Sequence, residues 1–146
     1  MRIAAVCCVL NNKAQFVIRK SFYNHLIWLK KSKGYDIDLL VTTGAELDSI
    51  SSSAKKAFEK FGINIIDLTN CDTNKKQLES LQDYDYVYCI GVLRDSLLGT
   101  YKKYMDDDDY NIQSITYQST ISMMKKVLPI LYLMKKGIKV VQYIVD

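Results

Sequence analysis

A parallel, doubly wound α/β sheet is the fold that this sequence predicts. Short apolar, β-branched runs alternate with segments of helical periodicity along the chain, the order that yields βα units and a parallel sheet. The runs are apolar at successive positions, as strands covered on both faces must be. With one proline and six glycines in 146 residues, the chain also lacks the turn chemistry of an all-β fold.

The elements follow in order. Arg2 to Leu10 reads as a central strand, with Asn11, Asn12 and Lys13 in the loop at its carboxyl end. From about Ala14 to Lys33, Ile18, Phe22, Leu26 and Leu29 recur at helical spacing. Lys30, Lys31 and Lys33 suit the negative end of that helix, and Gly34 supplies its stop. Asp36 to Thr43 is the second strand and Gly44 to Asp48 a loop. Asp48 or Ser49 caps a helix that buries Ile50, Ala54, Ala57, Phe58 and Phe61 and ends at Gly62. Ile63 to Leu68 is the third strand, and a short helix at about Asn74 to Leu81 leads to the fourth, Tyr84 to Val92. Alternation places Tyr84, Tyr86 and Tyr88 on one face of it, a pattern of core packing under a helix. Arg94 to Met105 is helical, and Tyr110 to Gln118 suits a strand or an irregular loop. Ser119 or Thr120 caps a last helix running to Lys136, which Pro129 kinks or divides. Gly137 stops it, and a final strand ends on Asp146. Right-handed crossovers favour a Rossmann-like sheet of about five strands in the order 3-2-1-4-5, helices on both faces, within a single domain over residues 1–146.

Several chemistries lose support at this level. The first βα loop, Val9 to Ala14, has none of the glycines that let backbone amides approach a pyrophosphate, and no Walker lysine loop occurs. A tightly bound NAD, FAD or ATP of the usual kind is therefore not expected. His25 is the only histidine and lies mid-helix without a ligand-spaced Cys or carboxylate, so a structural role is expected, and no Ser-His-Asp or Cys-His set can be built without it. Cys7, Cys8, Cys71 and Cys89 show no C-x₂-C spacing, and three of them lie inside apolar runs. They read as reduced structural thiols, which suits a cytoplasmic location. Asp106 to Asp109 reads as a solvated helix end in preference to a cation site, lacking the spaced ligands and glycine of a calcium loop. Ile3 to Leu10 lacks the features of a signal peptide, and the longest apolar stretch, Val127 to Met134, is too short to span a bilayer.

Two features point toward function. Arg2, Lys13, Arg19, Lys20, Lys30, Lys31 and Lys33 all precede the first acid, Asp36. Basic residues 1–35 are thus either a solvated helix face or a footprint for DNA or another polyanion. The second is Asp146, at the tip of the last strand. If strands 1, 4 and 5 are neighbours, Asp146, Asn11, Asn12 and the Gly91-Val92-Leu93-Arg94 turn line one crevice. A carboxylate there is either a general base toward an acceptor hydroxyl or a strand-end turn residue.

Three segments resemble the N-terminal half of GT-B glycosyltransferases, and within them the bacteriophage DNA β-glucosyltransferases: Met1 to Val6, Asp83 to Tyr88, and Gly137 to Asp146. The resemblance implies that Asp146 is the catalytic base. It gives DNA bases as one acceptor, and the crevice formed by the strand-end loops makes Asn11, Asn12, Lys13 and Arg94 the candidate substrate-binding residues beside it. It also implies a UDP-sugar donor held by a second domain that these residues do not include, so that the chain is inactive without that domain. The other reading open at this point is a stand-alone, non-catalytic Rossmann-like binding or interaction module.

Overall fold

The computed structural model describes residues 1–8, 13–69, 78–90 and 129–142, the side chains of 13–15 and 142 excepted. Within these lie strands β1 (Arg2–Cys7), β2 (Asp36–Val41), β3 (Asn64–Asp67), β4 (Tyr86–Ile90) and β5 (Lys139–Gln142), and helices α1 (Lys13–Lys33), α2 (Gly44–Ser49) and α3 (Ser52–Phe61). Residues 129–135 are also helical. The strands form one sheet in the order β3-β2-β1-β4-β5. All four pairings are parallel. The expected topology is the observed one.

Alternation along β1 explains how one strand serves two cores. Ile3, Ala5 and Cys7 face one side, with Phe22, Tyr23 and Leu26 of α1 and Phe58 of α3. Ala4, Val6 and Cys8 face the other, with Leu78, Leu81, Ile130, Leu131 and Leu133. Helical segments therefore cover both faces, and every position of β1 after Arg2 is buried. A strand paired on both edges and covered on both faces has no position at which a polar side chain can reach water.

Helix ends follow local chemistry. Gly34, Gly62 and Gly137 all have positive φ, the left-handed turn that ends a helix at low cost only for glycine. Helix starts differ from expectation, and Lys13 opens α1 instead of belonging to the loop before it. Gly44 to Ser49 is the short helix α2 and not a loop, because Thr43 accepts from the Glu46 N–H at 3.1 Å and caps it. The cap of α3 is then Ser51, whose hydroxyl accepts from the Ala54 N–H, in place of Asp48 or Ser49.

Tyr84 corrects the expectation for the tyrosines. Tyr86 and Tyr88 pack on the α1 side, but Tyr84 packs with Ala4, Leu40 and Val87 on the opposite side. It lies ahead of β4, where the alternation of the strand does not yet apply. Its hydroxyl donates to Asp38 at 2.8 Å. Asp38 is 3% exposed, and it also accepts from the Arg2 guanidinium at 3.0 Å and the Asn64 amide at 3.1 Å. One buried carboxylate thus ties the amino-terminal ends of β1, β2 and β3 to the chain entering β4.

Candidate functional site

The carboxyl edge of the sheet is where an open α/β fold places its ligands, at the point where strand order reverses. Here the reversal falls between β1 and β4. The pairing runs to that edge: Cys7 lies opposite Ile90, and the Cys8 N–H donates to the Ile90 carbonyl at 2.8 Å. On the other side of β4, Cys89 lies opposite Gln142. The carboxyl ends of β1, β4 and β5 are therefore neighbours.

Of the residues expected to bind and react there, Asn11, Asn12, Arg94 and Asp146 lie outside the described residues. Lys13 opens α1, and its side chain is outside them as well. So do Cys71, the acidic run Asp106 to Asp109 and the Tyr110 to Gln118 stretch. Among the described residues, no group of three or more His, Cys, Asp or Glu side chains could hold a metal ion, and no helix is long and apolar enough to cross a membrane.

A polar cluster that sequence reasoning missed lies beside β1 and β2 at this edge. Arg19 and Tyr23 come from α1, and Glu46 from α2. Arg19 is 4% exposed and Glu46 1%. Burial raises the Tyr23 hydroxyl well above its ordinary range, and the fields of Cys7 and Glu46 raise it further, while the Arg19 guanidinium opposes them. The hydroxyl is sealed from solvent and has no hydrogen-bond partner among the described residues; the Thr42 hydroxyl is in the same state. Tyr23 therefore stays protonated at any physiological pH. In that form it can donate a hydrogen bond.

One signal in the sequence could have found part of it. Thr43-Gly44-Ala45-Glu46 has the spacing of a capping box. Thr43 makes its half of that arrangement. Glu46 turns its carboxylate into the protein, beside Tyr23, instead of back to the cap. Arg19 had no such signal, because an arginine one position beyond Ile18 reads as a solvated helix residue.

His25 is positioned by packing, as expected of a structural residue. Its Nε2 lies 2.9 Å from the Tyr88 hydroxyl, and its ring stacks on Tyr88 and Trp28. Burial lowers its pKa from the usual value. The basic segment 1–35 is partly consumed within the fold. Arg2 pairs with Asp38, Lys30 with Asp36, and Lys31 lies over the Phe61 ring. Comparison with protein-family models, with curated proteins and with solved structures finds no match.

Proposed function

We propose that this chain is the acceptor-side domain of a sugar-nucleotide-dependent glycosyltransferase, acting with a second domain that holds the donor, and that DNA is its acceptor. The neighbour order β1-β4-β5 supports the reading. The proposed residues follow the carboxyl ends of these three strands in sequence: Asn11, Asn12 and Lys13 after β1, Arg94 after β4, Asp146 after β5. Loops that leave one edge of a parallel sheet beside its reversal can share a ligand.

In this reading Asp146 is the general base. Its carboxylate accepts the proton of the acceptor hydroxyl as that oxygen bonds to the anomeric carbon, and the nucleoside diphosphate leaves with the electron pair of the broken bond. Asn11 and Asn12 hydrogen-bond the acceptor, and Lys13 and Arg94 meet its phosphates.

The experiment is sugar transfer from a labelled UDP-sugar to duplex DNA carrying hydroxymethylated cytosine, using the product of the whole open reading frame. Asp146→Asn is expected to lower kcat by about 10²- to 10⁴-fold, the usual contribution of a positioned base, with an unchanged circular dichroism spectrum. Transfer at the wild-type rate by that variant removes Asp146 from the chemistry. Absence of DNA binding by the chain at low salt removes the nucleic-acid acceptor, because contacts to phosphates are strongest there.

A further inference from the structure

We propose that the groove between α1 and α3 binds a small organic phosphate, a phosphate monoester carried on a flat apolar group. The groove is independent of the glycosyl-transfer reading. It encloses about 290 Å³, and Arg19, Lys20, Ser51 and Ser53 line it together with Phe16 and Ile27. That volume is near the lower end for small-molecule sites.

The polar side of the groove suits an anion of high charge density. Arg19 borders it while 4% exposed, so most of the cost of taking this cation from water is met in folding and not on binding. Lys20 is exposed beside it. Across the groove, α3 opens with Ser51, Ser52 and Ser53 and has no acid in its first turn. The Ser53 hydroxyl lies 3.1 Å from that of Ser51, which caps α3 by accepting from the Ala54 N–H, and can turn toward an incoming oxygen. None of the residues lining the groove is acidic; the nearest described carboxylate of the Arg19 and Tyr23 cluster, Glu46, is buried behind it.

The other side suits an apolar body. Phe16 is 57% exposed at the groove, so covering its ring removes apolar surface from water. Tyr23, held edge-on to Phe58 with ring centroids 5.3 Å apart, gives the groove a fixed wall. The volume exists because α3 presents Ala54 and Ala57 here. Both are half-buried, as the periodicity of α3 predicts, and larger side chains would fill the space.

Titration of the chain with phenyl phosphate, followed by amide NMR shifts, tests the proposal, with inorganic phosphate and phenol as partial ligands. Saturable shifts at Ser53, Ala54 and Ala57 are expected, with phenyl phosphate binding more tightly than either partial ligand. Lys20→Gln should weaken binding by about tenfold, the loss of one charge-assisted contact. Ala57→Leu should abolish it by filling the groove with every charge in place. Lys20 is exposed, so its variant reports even if Ala57→Leu lowers the melting temperature. Phenol binding as tightly as phenyl phosphate overturns the proposal. So does the absence of saturable shifts at these residues, or affinity that survives both substitutions unchanged.

Discussion

At the scale of single residues, Asp38 and His25 show how burial converts ordinary side chains into structural commitments. Asp38 has three donors from separate parts of the chain, Arg2, Asn64 and Tyr84. Truncation to Ala leaves a partly buried guanidinium and a buried hydroxyl without their acceptor. Urea denaturation of Asp38→Ala should show a loss of about 3–5 kcal/mol, the range for breaking a buried pair. Tyr84→Phe removes one donor and keeps the ring, and should cost about 1–2 kcal/mol. In the sequence Asp38 is one more strand residue, because its partners lie far away in the chain and only the fold brings them together.

His25 makes stability depend on pH. Its folded pKa lies below the unfolded value of 6.5. Between the two values the unfolded chain binds more protons, so stability rises with pH there. The stabilisation is complete above 6.5 and is lost as pH falls from 6.5 through the lower folded pKa. His25→Gln should flatten this acid-side slope in melting temperature measured from pH 7.5 to 5, about the range in which histidine titrates. An unchanged slope would assign it to other groups.

At the scale of elements, the helix termini carry their own tests. Gly62 has φ of 75°, and a Cβ there would meet Lys30 Cε at 3.7 Å, an ordinary contact. The penalty for Gly62→Ala is therefore backbone strain alone, about 1–2 kcal/mol. Gly44 follows the cap of α2, lacks positive φ and has open space around it. Gly44→Ala should raise stability by about 0.4–1 kcal/mol by restricting the unfolded chain. Opposite signs for two Gly→Ala variants in one denaturation series would separate these cases. The glycine stops at residues 34, 62 and 137 were legible in the sequence because their signal is local. Helix α2 was not. Six residues give too little periodicity to register, and its start depends on one hydroxyl choosing one amide.

At the scale of the whole molecule, strand order was legible from alternation and handedness alone, since parallel connections admit few arrangements. The inward turn of Glu46 and the burial of Arg19 were not, because each depends on packing between α1 and the ends of β1 and β2. The sheet divides the apolar interior into two clusters that share no residue. Leu131→Ala on one side and Leu29→Ala on the other should therefore add to within about 0.5 kcal/mol in the double variant. A larger coupling would mean that the sheet transmits strain between its faces.

Adjacent Cys7 and Cys8, one in each cluster, make the two interiors separately readable by chemistry. Cys89 shares the side of Cys8, and burial holds its thiol at a pKa of about 12, so it has almost no thiolate to react while the protein is closed. In a Cys71→Ser background, single-cysteine variants would be labelled only during openings of the side on which the thiol lies. If α1 and α3 lift together, Cys7 would react before Cys8 and Cys89. If the opposite layer loosens first, the order would reverse. One pair of neighbouring residues thus offers a stopwatch for each half of the fold, read by mass spectrometry without adding a probe to the native structure.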